Sequence, residues 1–291
     1  MKHALVFGGS GQIGRPLLAR LLRDGWRVTA VSRQPQHDRP GLHWLQGDLA
    51  TAPALPSRVD AIVSCGPLDA FATWYAASAL ECERVVAFGS TSVEVKRGSA
   101  DPRERDVAQR LRAGEEGVLA AAARRLAQAT LLRPTLVYGA GRDATLTRIA
   151  QLARRWGRFP LPRHADGLRQ PVHVDDLATA AFAALGSAAA HGQTYALPGG
   201  ETLAYREMVR RVLAVLDPPP ALVELPSPLF NLALAAAKLA GGTGLGEAAV
   251  QRMRSDLVFD ATPARRDLGY APRTFHPTAR MFETRQEVEE Q

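Results

Sequence analysis

Three glycines set the first chemical constraint. In Phe7-Gly8-Gly9-Ser10-Gly11-Gln12-Ile13-Gly14 they fall at positions 8, 11 and 14, between an apolar run and a helical stretch. Glycine permits the tight turn, and the missing Cβ lets main-chain N–H groups approach a pyrophosphate. The start of the helix adds positive potential at the same place. The order strand, loop, helix is the one such a site requires. The spacing predicts that Gly8, Ser10, Gly11, Gln12, Ile13 and Gly14 cradle a dinucleotide.

The end of the next strand selects between dinucleotides. About twenty residues after the loop, an NAD site usually carries an Asp or Glu for the ribose hydroxyls. Here the chain reads Val31-Ser32-Arg33-Gln34, with no acid before Asp38. Arg33 can pair with a 2′-phosphate, Ser32 can hydrogen-bond it, and Arg15 can assist. The expected cofactor is NADP(H), with NAD(H) as the alternative. Downstream, Asp48 in Gly47-Asp48-Leu49 can accept from an adenine amino group. The small residues Ser64-Cys65-Gly66 let a cofactor lie against the backbone.

These residues need strands to end beside one another. Short β-branched runs predict strands at 3–7, 26–32, 42–46, 60–64, 84–88 and 130–132, alternating with helices at 12–24, 70–81 and 103–126. Further on, helix is expected at 144–156 and strand at 170–174. A helix should open at Asp175-Asp176, where two acids suit the positive end of its dipole. Strand 194–197 and a turn at Pro198-Gly199-Gly200 follow, then a helix from Thr202, the expected N-cap. The fold class is α/β: a Rossmann-type doubly wound parallel sheet with a smaller, discontinuous C-terminal α/β domain. The dinucleotide domain is placed at 1–140 with 168–186 returning to it, and the substrate-type domain at 141–167 and 187–291.

Composition excludes several other classes. The chain has 291 residues, 46% hydrophobic and 22% charged, which is globular rather than disordered or fibrous. Of 36 basic residues only three are lysines, and the net charge of +7 is spread without blocks, so no nucleic-acid partner is expected. Cys65 and Cys82 make no close-spaced pair, so neither a zinc site nor a disulfide framework is expected. The N-terminal apolar run is too short for a secretory signal, and a cytoplasmic location is expected.

The chain resembles the extended short-chain dehydrogenase/reductase superfamily, in particular its NAD-dependent epimerase/dehydratase-like members. The resemblance lies in GGSGQIG, GDL at 47–49, Gly89-Ser90-Thr91-Ser92, LRPTLVYG at 132–139, RQPVHVDDL at 169–177 and DLGYAP at 267–272. It implies that Thr91 or Ser92 hydrogen-bonds a substrate oxygen. It also implies that Pro134 to Tyr138 lie beside the nicotinamide and that Arg169 contacts a substrate diphosphate. Read from the residues alone, Ser90 to Ser92 are equally turn chemistry, and Glu94 is a solvated carboxylate.

The family's acid–base pair is a Tyr with a Lys four residues later. The five tyrosines, 75, 138, 195, 205 and 270, are followed at that distance by Ala79, Arg142, Gly199, Val209 and Thr274. If Glu116 occupies the family's glutamate position, Ala108 stands at the tyrosine and Arg112 at the lysine. Arg112 can contact a ribose, but a guanidinium stays protonated. The resemblance therefore implies an atypical member: an oxidoreductase or epimerase-like isomerase without YxxxK acting on a small molecule, or a catalytically silent NADPH-holding or redox-sensing protein. Residues 228–240 carry apolar side chains at helical spacing. They are read as a helix over the second domain, with a lid or a peripheral membrane contact as alternatives. Oligomeric state is left open.

Overall fold

The computed structural model describes residues 1–143, 145–230, 232 and 247–283. The first half alternates as the sequence predicts: β1 (His3–Phe7), α1 (Gly14–Arg23), β2 (Arg27–Ser32), β3 (Leu42–Gln46), β4 (Arg58–Ser64), α2 (Leu68–Ala77), β5 (Glu81–Phe88), α3 (Ser92–Val95), α4 (Pro102–Arg124) and β6 (Gln128–Pro134). The second half adds β7 (Val137–Tyr138), α5 (Leu146–Trp156), β8 (Arg158–Pro162), β9 (Leu168–Arg169), β10 (Val172–His173), α6 (Val174–Gly186) and β11 (Thr194–Leu197). It closes with β12 (Leu203–Ala204), α7 (Tyr205–Ala214), β13 (Ala221–Leu225), α8 (Glu247–Arg252) and α9 (Thr262–Leu268).

The chain divides into two compact units, the first comprising 1–135, 174–198 and 260–272. Its seven-stranded sheet has the order β11-β6-β5-β4-β1-β2-β3, and every pairing is parallel. Strand alternation sorts the side chains to two faces. Leu5 and Phe7 join Phe71, Tyr75, Val118 and Ala122 in the α2/α4 layer. On the other face α1 packs against α6, where the Arg20 guanidinium lies 5.2 Å over the Phe182 ring. With both faces covered, β1 is buried along its whole length, as buried parallel strands are.

The second unit comprises 136–173, 199–259 and 273–291. Its core gathers Tyr138, Leu146, Phe159, Met208, Phe275 and Phe282. Three two-stranded sheets support it: β7 with β10, β9 with β12, and β8 with β13. The Asp143 carboxylate accepts from the N–H groups of Thr145 and Thr147 at 3.1 and 3.0 Å and so caps α5. Gly157, at φ +63°, ends that helix in the left-handed region.

Three expectations change. The division at 187 fails because β11 pairs with β6 and extends the first unit's sheet, while 168–173 fall in the second unit. Thr202 is not a helix cap: its hydroxyl accepts from Gln170 Nε2 at 3.1 Å, and the helix starts at Tyr205 after a bridge from β12 to β9. Of the apolar segment 228–240, Phe230 is buried and Leu229 and Leu232 are exposed; residues 231 and 233–240 lie outside the described residues. Among the described residues no helix is long and apolar enough to cross a membrane.

Candidate functional site: a dinucleotide cradle

The loop from β1 to α1 is shaped by contacts that only glycine allows. Gly8 takes φ +72°, and a Cβ there would meet the Cys65 carbonyl carbon at 3.0 Å and the Gly66 nitrogen at 3.1 Å. A Cβ on Gly14 would stand 2.2 Å from the Gly8 carbonyl oxygen. The Gly11 N–H donates to Gly8 O at 2.9 Å and closes the turn. Helix α1 therefore starts at Gly14, two residues later than the sequence predicts, and the buried Ile13, Leu17 and Leu21 hold its apolar face against the sheet.

Two polar atoms in this region are buried and lack a protein partner among the described residues: Gln12 Oε1 and Ser64 Oγ. Such groups cost about 1–3 kcal/mol unless water or a ligand satisfies them. A glycine cradle with orphaned polar atoms beside it fits a dinucleotide.

At the end of β2, the buried Ser32 places its Oγ 3.1 Å from Ser10 Oγ. Arg15 Nε donates to the Ser10 carbonyl at 3.2 Å, bringing a second guanidinium to the same loop. Arg33 is exposed. Asp48 is more committed than the sequence suggests. Its Oδ1 accepts from Ala50 N, Thr51 N and Thr51 Oγ1 at 2.9, 2.8 and 3.0 Å. The Thr51 main-chain N–H, then its hydroxyl, hold this carboxyl below the usual carboxylate range. Leu49 borders Gly66, where a Cβ would lie 3.8 Å from Leu49 Cδ1. Burial pushes the Cys65 thiol up to about 12, so it stays protonated at neutral pH.

The β5–β6 end of the sheet is built differently. Thr91 is buried, and both its N–H and its hydroxyl donate to the Pro134 carbonyl at 3.2 Å. The hydroxyl that the sequence offers to a substrate is thus spent on the backbone. Ser92, the first residue of α3, is partly exposed. Ala108 is buried and Arg112 exposed on α4.

The sequence reading missed an ion cluster here. Glu115, 5% exposed, receives Arg133 Nε at 2.7 Å and Nη2 at 2.6 Å in a bidentate pair. Arg133 Nη1 donates to Glu94 at 2.7 Å, so Glu94 is an exposed carboxylate, as the residues suggest, that also takes part in an ion pair. The Glu115 carboxylate, ahead of other causes, raises the Arg133 pKa. Glu116, the acid on which the helix register was keyed, is exposed. The signal was the pair of adjacent acids, whose inward member only the helix's packing face decides.

In the second unit, Arg169 is buried and spends its guanidinium internally. Nη1 donates to the carbonyls of Leu168 and Ser255 at 2.7 and 2.8 Å, Nη2 donates to that of Arg252, and the Tyr205 ring lies 5.3 Å away. Burial pulls its pKa below the usual guanidinium value. This geometry is a clamp on the 252–255 turn, in place of the diphosphate contact expected from the resemblance. His173 is buried edge-on to Tyr138, ring centroids 5.1 Å apart.

Residues 4–91 and 73–197 match the NAD dependent epimerase/dehydratase family. The chain belongs to this family. Among its relatives is a 2-alkyl-3-oxoalkanoate reductase of Stenotrophomonas maltophilia, 26% identical over 92% of this chain and 94% of that one. A mitochondrial NADH dehydrogenase 1 alpha subcomplex subunit 9 of Arabidopsis thaliana is 32% identical over 40% of this chain and 28% of its own. A UDP-glucuronic acid 4-epimerase from Bacillus cereus, solved in complex with NAD, superposes with a TM-score of 0.71 at 12% identity. That match covers 99% of this chain and 97% of the solved one, and it carries the fold alone. Membership of the NAD dependent epimerase/dehydratase family accounts for the parallel sheet.

Proposed function

We propose that this family member binds NADP(H) and is an oxidoreductase or epimerase-like isomerase that works without the usual Tyr–Lys pair on a small carbonyl or hydroxyl substrate. The observation that carries the cofactor choice is the end of β2. Two serine hydroxyls 3.1 Å apart lie next to an exposed arginine, and no acid occupies the ribose position. A 2′-phosphate there would accept from Ser10, Ser32 and Arg33, whereas a ribose hydroxyl would find no carboxylate to accept from it. When bound, NADP(H) supplies hydride exchange at its nicotinamide. The chain's part is to hold the pyrophosphate on the loop 8–14 and to present backbone at Cys65, Gly66 and Pro134.

The acid–base assignment follows from α4. Keyed on Glu116, the pair positions are Ala108 and Arg112; keyed on the buried Glu115, they move to Val107 and Leu111. Neither register supplies a group that exchanges a proton near neutral pH. The committed Thr91 hydroxyl also favours a second reading, an NADPH-holding protein with no turnover.

Calorimetric titration tests the cofactor choice. NADPH should bind about ten- to a hundredfold more tightly than NADH, the worth of one charge-assisted contact of about 1.5–3 kcal/mol. Arg33→Ala should remove most of that difference and leave NADH binding nearly unchanged. Equal affinities in the wild type would reject the NADP(H) assignment.

A further inference from the structure

The strands that carry the cradle at their C-terminal ends enclose something else at their opposite ends. Where β4, β5 and β6 begin, with Arg58, Glu81 and Gln128, a cavity of about 500 Å³ opens beneath the sheet. Its walls come from the turn after α2, including Leu80, and the turn after α4, Arg125-Leu126. That volume is in the range of small-molecule sites.

The polar lining carries an imbalance of charge. Arg58 pairs with Glu83 at 3.5 Å, and Glu81 is the other carboxylate in the wall. Arg84 has no carboxylate partner among the described residues: its Nη1 meets His191 Nε2 at 2.6 Å. Burial, then Arg84 itself, lowers the His191 pKa, so the ring accepts as a neutral base and cancels no charge. Arg125 lies 4.5 Å over the Tyr75 ring and donates through Nη2 to the carbonyls of Ala76 and Ser78. Its Nη1 is buried without an acceptor among the described residues. Two uncompensated arginines thus face one glutamate.

The apolar lining is equally unusual. Leu126 is 90% exposed and sits at φ +57°, in the left-handed region that penalises a side chain with a Cβ. A strained, solvated leucine at the rim of a cationic cavity contributes nothing to the core. The left-handed turn itself ends α4, with the Ala127 N–H returning to the Ala122 carbonyl at 3.0 Å; what the helix end does not account for is a leucine where glycine is usual.

We propose that this cavity binds a small organic anion with an apolar body, a medium-chain carboxylate whose head meets Arg84 and whose chain lies along Leu80 and Leu126. Arg125 supplies the second positive charge, and the site is separate from the dinucleotide cradle and independent of which cofactor occupies it. Sodium octanoate is the probe, titrated calorimetrically into the full chain, with acetate and octan-1-ol as separate arms. Octanoate should bind saturably at one site, while acetate lacks the chain and octanol the charge, so both should bind at least tenfold more weakly. Arg84→Gln should weaken octanoate about tenfold or more. Leu126→Gly relieves the left-handed backbone and so preserves the fold; it should weaken octanoate while leaving the thermal midpoint unchanged or raised. Non-saturable binding, or equal affinity in wild type and both variants, overturns the proposal. A dimer in sedimentation that forms without octanoate and is lost in Leu126→Gly also overturns it, by giving this face to a second copy.

Discussion

The two halves of one sheet edge are furnished in opposite ways. Around β1, β2 and β4, the backbone is cleared of side chains by Gly8 and Gly14, and buried polar atoms of Gln12 and Ser64 wait for partners. Around β5 and β6, polar groups are turned inward: Thr91 onto the Pro134 carbonyl, Arg133 onto Glu115 and Glu94. One side keeps hydrogen-bonding capacity open for a ligand; the other has converted it into scaffold. Under the proposed function, the first side would serve binding, and the second would have given up its part in turnover.

The largest effect should come from attacking the scaffold side. Arg133→Ala strands the buried Glu115 carboxylate and should cost about 3–5 kcal/mol in chemical denaturation at pH 7. Adding Glu115→Leu should recover much of it. A loss under about 1 kcal/mol would mean the cluster is not structural, and the contrast between the halves would collapse.

On the binding side, Gly14→Ala drives a methyl group against the Gly8 carbonyl, 2.2 Å away. Loop and helix must part, at about 1–3 kcal/mol of stability. Fluorescence titration should show NADPH affinity reduced by much more than the stability loss alone would give. Unchanged affinity would show that the loop does not hold the pyrophosphate.

The smallest effect sharpens a different contrast, that between the two units. In the second unit, Arg210 and then Arg211 hold Glu207 down to about 2, and Arg211, then the Phe275 N–H, lower Glu201. A depressed carboxyl contributes stability above its unfolded pKa, about 4.3, and loses it as pH falls towards the folded value. These side chains keep a quarter to a third of their surface in water, so solvent screening brings the contribution to about 1 kcal/mol or less. Between pH 4.5 and 2, Glu207→Gln should flatten the acid loss by that small amount. An identical acid profile in wild type and variant would remove the network from the stability account.

The sheet and the cradle were legible because period and spacing determine them locally. Residues 3–7 read as a strand and are β1, since a buried parallel strand is a short apolar run whatever surrounds it; residues 42–46 are the edge strand β3, where only Leu42 is buried. The tertiary assignments were less legible. Glu115 and Glu116 differ by one helical step, and only the position of Arg133 on β6 decides which is buried. Arg169 matched a motif, yet the carbonyls that consume it come from residues 252 and 255, more than eighty positions away. Thr202 had a capping side chain in a plausible place, but a two-residue bridge from β12 to β9 took precedence. Local chemistry nominates residues; distant backbone decides whether they are free.

The first unit is assembled from three separate stretches, the last ending at residue 272. Strand β11 docks on β6 from sixty residues downstream, and Tyr270 donates to the Pro198 carbonyl at 2.7 Å to fasten the third stretch to the second. During synthesis, therefore, the sheet stands without α6 and its seventh strand until residues 174–197 have left the ribosome, and without α9 until residues 262–268 have followed. Domain-by-domain maturation, the usual protection of longer chains, is closed to this topology. A ribosome stalled before α6 and β11 have emerged would hold a half-covered sheet with β6 as a bare edge, a ready template for chaperones or for a neighbouring nascent chain.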